Sequence, residues 1–229
     1  MDEYLSNLIA RISTVEERFK EPGFDGARTV IDGKFNVSGY DSSKTVSWQA
    51  CREAEKMANK EYVDPLINFI NTEKDKQKRR AAYFVLGQIA KNSKETKAVV
   101  YLIERLGIET DRYILGSLLD LINWTDKPKE VDLDNIIKLI GHKNAIVSSS
   151  AIRALRNSNN EKVEDLLIHL LNTSEDPYVL TCVNATLNNM GTPKAIPYIE
   201  KNLKSRKVDL KISAEMAIEQ IQKRSGTVN

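Results

Sequence analysis

Two histidines and two cysteines are the side chains of this 229-residue chain that could bind a transition metal or attack a substrate as nucleophiles. His142 is predicted to lie in a turn and His169 in an apolar helical run, and no third ligand is spaced around them as zinc requires. Neither Cys51 nor Cys182 has a nearby histidine that could activate its thiol, so both are predicted to be small packed residues. The chain also lacks the common phosphate-binding, dinucleotide-binding, zinc-protease and paired-cysteine motifs. We therefore predict no catalytic residue, no metal and no cofactor.

The remaining polar and aromatic residues follow a repeated pattern, which is clearest in the stretch from Asp75 to Ile89, reading DKQKRRAAYFVLGQI. With Asp75 as position 1, positions 4, 8, 12 and 15 share one side of a helix, and Ala82, Leu86 and Ile89 occupy the last three. The pattern returns at intervals of 32 to 36 residues, which is typical of a repeat protein. Its other anchors at position 1 are Ser43, Asp111, Asn144, Asp176 and, with a one-residue slip, Asp209.

Another apolar helix precedes the helix that begins at each anchor. The repeat is therefore predicted to consist of a first helix, a short turn and a second helix. The first helices are predicted at 62–70, 99–106, 136–140, 163–171 and 196–203. Pro65 and Pro197 fall in the first turn of their helices, where a missing N–H costs nothing. Asp or Asn at position 1 suits the N-cap of the second helix, because its side chain accepts an otherwise unpaired N–H.

This pattern resembles HEAT repeats, in particular the short bacterial kind that is also found in phycobilin-lyase proteins. The resemblance covers residues 43–224, and it is carried by Asp75, Arg79, Ala82, Leu86, Gly87 and Ile89, together with Asp176, Pro177 and Val179. It implies an all-α fold, an α-solenoid (superhelix) of about five to six helix pairs, and a binding scaffold without a particular chemistry. The arginine of position 5 is replaced in four repeats, so a polar ladder through that position is broken. The replacements are Leu115, Ser148, Leu180 and Ser213.

The chain is predicted to have four segments. Residues 1–20 form an N-terminal capping helix, 21–44 an irregular loop or hairpin, 45–224 the HEAT-like solenoid and 225–229 a flexible tail. Within the second segment, Asp32-Gly33 lies between short β-prone stretches, which is a strong signal for a hairpin. This segment is either a connecting loop or a functional insertion, and the sequence leaves both interpretations open.

Charge and cysteine usage restrict the location and the partners. Charged residues make up 29% of the chain with a net charge of +2, so no strong field favours nucleic acid or an anionic membrane. The first twenty residues begin with acidic side chains and contain only short apolar stretches, which is typical of neither a signal peptide nor a membrane span. Cys51 and Cys182 belong to distant repeats and are not expected to form a disulfide bond. A reducing compartment, the cytoplasm, is the expected location.

Positions 3, 6, 10 and 13 of the second helices point away from the buried side. If the resemblance holds, they line the concave surface of the stack. The predicted partner-binding residues at these positions are Trp48, Arg52, Arg80, Phe84, Tyr113, Asp120, Arg153, Arg156, Tyr178 and Asn188. Ile146 holds position 3 of its repeat. Aromatic residues with arginine are typical of binding hot spots, and the arginines suit acidic peptides or phosphate. The alternative is that some of the large apolar residues are partly buried between adjacent helices, and Trp124 is predicted to pack against a turn.

These observations favour a non-catalytic scaffold or adaptor that binds another protein or peptide segment in the concave groove. Within that class, an inhibitor or immunity-type protein remains open. Some DNA glycosylases have a HEAT-like architecture, but the groove lacks the density of Lys and Arg that nucleic-acid binding needs. A chromophore-lyase-like role is suggested by the repeat subtype alone.

Overall fold

A computed structural model describes residues 1–14, 30–31, 34–35, 42–158 and 160–226. Within these residues, twelve α-helices alternate with short turns, so the predicted all-α class is confirmed. The chain separates into two compact units, Met1–Asn92 and Ser93–Asn229, which we call unit 1 and unit 2. The segment boundaries predicted at residues 20, 44 and 224 stay predictions.

The described residues of unit 1 form four α-helices. They are α1 (Glu3–Ile12), α2 (Val46–Ala54), α3 (Val63–Thr72) and α4 (Lys76–Ser93), whose last residue belongs to unit 2. Leu5, Leu8 and Ile9 of α1 are buried, as the helical spacing predicts. The amide nitrogen of Asn92 donates to the carbonyl oxygens of Glu55 and Met57 at 2.8 and 2.9 Å, which joins the end of α4 to the chain after α2.

The predicted hairpin is present as two short antiparallel strands. Strand β1 (Val30–Ile31) pairs with β2 (Lys34–Phe35), with Val30 opposite Phe35 and Ile31 opposite Lys34. The turn residues Asp32 and Gly33 lie outside the described residues.

Unit 2 contains four helix pairs. The first helices are α5 (Thr96–Arg105), α7 (Asp134–Leu139), α9 (Glu161–Thr173) and α11 (Ile196–Ile199), and the last continues as a 3₁₀ helix, Glu200–Lys204. The second helices are α6 (Arg112–Asn123), α8 (Ala145–Ala154), α10 (Pro177–Met190) and α12 (Val208–Ser225). Each second helix packs against the next one, α6 on α8, α8 on α10 and α10 on α12. Because the repeats are equivalent, residues at the same repeat position lie side by side on successive helices.

The predicted N-caps of four second helices are confirmed. The side chains of Asp75, Asp111, Asn144 and Asp176 each accept the backbone N–H two residues later, at 2.8 to 3.1 Å. Replacing such a cap by alanine typically costs about 1 kcal/mol. These side chains therefore fix where each second helix begins, and with it which positions face the core.

Helix α2 begins two residues later than the repeat pattern predicts. The predicted anchor Ser43 lies in a 3₁₀ helix, and the hydroxyl of Thr45 accepts the N–H of Trp48 at 3.2 Å as the N-cap. Val46 therefore starts the helix and is exposed, whereas the pattern placed it on the core side. Ala50 and Ala54 are buried as predicted.

Helix α12 begins earlier than predicted. The residue at its N-cap position is Lys207, whose side chain makes no capping hydrogen bond. Asp209, which the sequence pattern took as the start, lies inside the helix. With Lys207 as position 1, the buried residues Leu210 and Ala214 fall at positions 4 and 8 without any slip. Ser213, which the shifted register assigned to the core, is only half-buried.

A buried lysine closes the carboxyl end of α6. Lys127 is 2% exposed, and its Nζ donates to the carbonyl oxygens of Ile122 and Thr125 at 2.8 and 2.7 Å. Burial is the main cause that lowers the pKa of Lys127 to about 7; the carboxylate of Asp126 opposes the shift, and the charge of Arg156 adds to it. The amine thus occupies a place where both charge states are accessible near neutral pH.

Gly191, which follows α10, approaches its neighbours too closely for any side chain. A Cβ at this position would lie 2.7 Å from the carbonyl oxygen of Leu187 and 2.9 Å from Cδ1 of Ile221. Gly191→Ala is therefore expected to lower the free energy of unfolding by about 1–3 kcal/mol, as overpacking does. Denaturant titration of the purified variant measures this loss.

Gly116, inside α6, provides the matched control, because a Cβ there would meet no atom within 4 Å. Gly116→Ala is expected to raise the free energy of unfolding by about 0.5–1 kcal/mol, since glycine is costly inside a helix. Equal effects of the two substitutions would contradict the packing described for Gly191.

Candidate functional site

In unit 1, α2 presents an aromatic residue paired with an arginine. Trp48 is exposed, and the guanidinium carbon of Arg52 lies 5.2 Å from the centroid of its ring. Arg52 also forms an ion pair with Glu55. Both predicted residues thus lie on the surface and contact each other. They line an open pocket of about 510 Å³ together with Tyr4, Gln49, Glu53, Lys56 and Met57.

A carboxylate fixes the wall of this pocket. Arg11 Nη1 donates to Glu53 Oε2 at 2.8 Å, which ties α1 to α2. A hydrogen bond from Tyr4 is the main cause that lowers the pKa of Glu53. Burial, followed by this hydrogen bond and the charge of Glu53, raises the pKa of Tyr4 to about 12. At neutral pH the phenol is therefore a hydrogen-bond donor and not an acid or base.

The other two predicted residues of unit 1 lie on α4. Arg80 is exposed and Phe84 is half-buried. The alternative to a binding role, in which a large apolar residue is partly buried, therefore fits Phe84.

In unit 2, the residues at position 3 of three successive second helices form a row of exposed apolar side chains. Tyr113 on α6 is 64% exposed, Ile146 on α8 is 70% exposed and Tyr178 on α10 is 54% exposed. Each follows its N-cap in the first helical turn, where side chains lean back towards the helix start and away from the core. We call these three residues the apolar ridge. For them, burial between adjacent helices does not occur.

At the end of α8 and in the turn after it, two arginines line a small pocket that reaches the neighbouring helices. Arg153 and Arg156 surround a volume of about 70 Å³ with Asn123 of α6 and with Ala185 and Thr186 of α10. We call this the arginine pocket. The structure thus brings together two predicted residues, while Asn188, on the following turn of α10, donates to the carbonyl oxygen of Met216 at 3.0 Å.

The two arginines of this pocket have different surroundings. Arg153 Nη2 donates to Ser150 Oγ at 3.1 Å and lies 4.0 Å from Asp120 Oδ1. The same oxygen of Asp120 accepts a hydrogen bond from Ser150 Oγ at 3.2 Å. The guanidinium carbon of Arg156 lies 5.0 Å from the ring centroid of Trp124. Among the described residues, no carboxylate lies within 4.0 Å of the Arg156 guanidinium and no acceptor is hydrogen bonded to it. Its in-plane N–H groups are therefore available to a ligand.

Trp124 differs from its prediction. It is 57% exposed at the carboxyl end of α6 and does not pack into a turn. Its ring instead supports Arg156, and such stacking leaves the edge of the guanidinium open. The repeat pattern correctly placed Trp124, at position 14, at the end of the helix, but it did not predict that the ring is exposed.

Two residues of α12 belong to the same face and were missed by the sequence pattern. Ile212 and Met216 are about half exposed and hold positions 6 and 10 when Lys207 is position 1. With Asp209 as position 1, the pattern did not assign these two residues to outward positions. The spacing of Leu210 and Ala214, which matches core positions 4 and 8, could have given the correct register. We call the residues at positions 3, 6, 10 and 13 of the repeats that contain α6, α8, α10 and α12 the second-helix face, except Gly116 and Ser149, which are buried.

The cysteines and histidines make structural contacts. Burial raises the pKa of the Cys51 and Cys182 thiols, which disfavours the reactive thiolate. His142 Nδ1 accepts the backbone N–H of Asn144 at 3.0 Å, and His169 is exposed on α9. Across the described part of the chain, no three metal-binding side chains cluster. None of the helices described is both long and apolar enough to span a bilayer.

Part of the chain matches a known repeat family. Residues 133–219 match the family model described as HEAT repeats. No curated protein matches the chain in sequence. A designed armadillo repeat protein is similar in structure, with a TM-score of 0.53 and 15% identity over 95% of this chain and 99% of its own. An engineered protein has a TM-score of 0.50 and 20% identity over 82% and 94% of the two chains. At these identities the likeness shows the fold alone.

The phycocyanin lyase complex of CpcE and CpcF from Nostoc sp. PCC7120 is more distant. Its TM-score is 0.44, with 18% identity over 98% of this chain and 82% of the other. This likeness is too low to say anything about activity.

Proposed function

We propose that this chain, which carries HEAT repeats, is a non-catalytic module that binds an extended segment of another protein across the second-helix face of unit 2. The repeat fold is typical of protein-interaction scaffolds. What the chain binds and where it binds are our proposals, and they follow from the exposed side chains described above.

The apolar ridge is the observation that carries this proposal. Single exposed apolar residues are normal on protein surfaces, whereas a contiguous row marks an interaction site. Tyr113, Ile146 and Tyr178 hold the same position on three successive helices that pack against one another, and from this placement we infer such a row. A chain that crosses the helices can contact each of them in turn.

The exposed side chains of the second-helix face are distinct from the side chains that the same helices contribute to the core. The core positions next to the ridge, such as Val147 on α8 and Val183 on α10, are fully buried. A partner can therefore bind without any rearrangement of the packing, and substitutions on the face should affect affinity more than stability.

The charges of the face favour protein over nucleic acid. Its outward positions carry Arg153 and Arg156 against Asp120, Asp209 and Glu219. A surface that binds a phosphate backbone needs a clear excess of Lys and Arg. The acidic residues here would repel phosphates on both sides of α8.

A comparison of ridge and control variants tests the proposal. Tyr113→Ser, Ile146→Ser and Tyr178→Ser are combined in one chain, and Ile108→Ser is the control, because Ile108 is an equally exposed isoleucine that lies outside the face. Tagged proteins capture partners from cells, and the affinity of a captured partner is then measured by calorimetry. We expect the wild type and the control to bind alike. The combined loss of the three ridge side chains should weaken binding by more than about 1 kcal/mol, as the loss of a hot spot does.

The melting temperature of each variant is measured in parallel. It should stay close to that of the wild type, because no core residue is altered. If the ridge variant bound every partner as the wild type does, the second-helix face of unit 2 would not be the binding site.

A further inference from the structure

We propose that the arginine pocket binds a side-chain carboxylate of the partner segment, and that Ile212 and Met216 bind a large apolar side chain about six residues away in the same extended segment. This inference rests on the function proposed above. It adds which chemistry the partner must carry and at what spacing.

The charge of the pocket selects an anion with a single negative charge. Arg153 and Arg156 contribute two positive charges and Asp120 one negative charge, so the local sum is +1. Arg153 is already engaged by Ser150 and Asp120, whereas the edge of Arg156 meets no acceptor among the described side chains. A carboxylate between the two guanidinium groups would accept hydrogen bonds from both and complete their coordination.

The size of the pocket limits the ligand. Its volume of about 70 Å³ exceeds the roughly 10–15 Å³ that one water molecule needs on the same measure. It is far below the roughly 300–1,000 Å³ of typical small-molecule sites, so a carboxylate fits while a nucleotide does not. A doubly charged phosphate would exceed the local charge of +1, and Asp120 would repel it more strongly than it repels a singly charged carboxylate.

The second anchor lies on α12. Ile212 and Met216 are exposed there, one helical turn apart, and they present an apolar surface. Between the pocket and these residues, the outward positions of α10 carry Thr181, Ala185 and Asn188, and the amide nitrogen of Asn188 donates to the carbonyl oxygen of Met216 at 3.0 Å. None of these three side chains is large, so a polypeptide can pass over α10 from the pocket to α12.

The helix spacing gives the spacing in the partner. Packed helices lie about 8–10 Å apart, so α8 and α12 are separated by about 20 Å across α10. An extended chain advances about 3.3 Å per residue, which corresponds to about six residues. The partner should therefore carry Asp or Glu and a large apolar residue at this separation.

Selection from a displayed library of random twelve-residue peptides tests the inference on the full chain. We expect the wild type to enrich peptides with Asp or Glu about six residues from Leu, Ile, Met or an aromatic residue. The variant Arg153→Gln, Arg156→Gln should lose the preference for the acid and keep the apolar one. Met216→Ser should do the reverse. Lys138→Gln, on the exposed side of α7, is the control and should select as the wild type does.

A second measurement does not depend on any variant of the protein. A synthetic copy of an enriched peptide is compared with its Glu→Gln form by fluorescence anisotropy. We expect the Gln form to bind the wild type about tenfold more weakly or worse, because a charge-assisted hydrogen bond is lost. The affinities of the two forms for the Arg153→Gln, Arg156→Gln protein should be equal.

The outcomes separate this inference from the proposed function. Enrichment of apolar peptides that depends on the ridge but shows no acidic preference would overturn the carboxylate site and leave the proposed function standing. Tighter binding of a phosphoserine form would overturn the choice of carboxylate over phosphate. If no peptide depended on the ridge or on the pocket, both proposals would fail together.

Discussion

Truncation of Leu187 to alanine is expected to lower the free energy of unfolding by about 2–5 kcal/mol. Leu187 is fully buried in α10, which packs against α8, α9 and α12, so its truncation opens a cavity inside the core of unit 2. The backbone around it is also constrained, because its carbonyl oxygen accepts the N–H of Gly191 at 2.7 Å. The surroundings can therefore collapse only partly into the cavity. Urea or guanidinium titration followed by circular dichroism measures the loss.

Tyr178→Ala on the same helix is the control for this prediction. Tyr178 is larger than Leu187, yet its side chain lies mostly in solvent. Its removal should change the free energy of unfolding by no more than about 0.5 kcal/mol, as at other surface sites. If both substitutions cost the same, the assignment of core and face on α10 would be wrong.

The stability of the protein is expected to rise between about pH 7 and pH 10.5 through the titration of Lys127. Its pKa is about 7 in the folded state against 10.5 as the ordinary value. Between these values the unfolded chain binds the proton and the folded chain does not, so raising the pH favours folding. Below about pH 7 both states are protonated and Lys127 adds no pH dependence. Each pH unit in the window contributes about 1.4 kcal/mol.

Lys127→Met isolates this contribution. The free energy of unfolding of the wild type minus that of the variant is measured across the window, which cancels the other titrating groups. This difference should grow in favour of the wild type as the pH rises. The neutral amine retains two N–H groups, enough for the carbonyl oxygens of Ile122 and Thr125 that it contacts. A difference that stays flat from about pH 7 to 10 would show that the folded amine keeps its ordinary pKa.

The sequence could predict what depends on short-range patterns. The N-caps of α6, α8 and α10 could be predicted from Asp111, Asn144 and Asp176, because Asp or Asn directly before a run of periodic apolar residues is typical of a helix N-cap. From these starts the helical period determines the core, and the same period assigns Tyr113 and Tyr178 to the outer face. The proposed site was predictable to that extent.

What the sequence missed depends on contacts between distant residues. Lys207 carries no cap, so the register of α12 was assigned from an acidic residue inside the helix, and Ile212 and Met216 were left out. A lysine in a polar turn is usually solvated, and only the fold shows that the chain around Lys127 encloses it. The stacking of Trp124 on Arg156 joins the ends of two helices, and no local pattern contains it.

Buried polar contacts between successive repeats affect how reliably the chain folds. Asn184 of α10 is fully buried, donates to Ser213 of α12 at 3.1 Å and accepts from Asn202 at 3.3 Å. Repeats with similar apolar faces can stack in more than one alignment, since apolar packing alone distinguishes poorly between them. A shifted alignment would leave the amide of Asn184 without partners, at a cost of about 1–3 kcal/mol. One buried asparagine thus gives the last two repeats a means to reject misaligned intermediates while the chain folds.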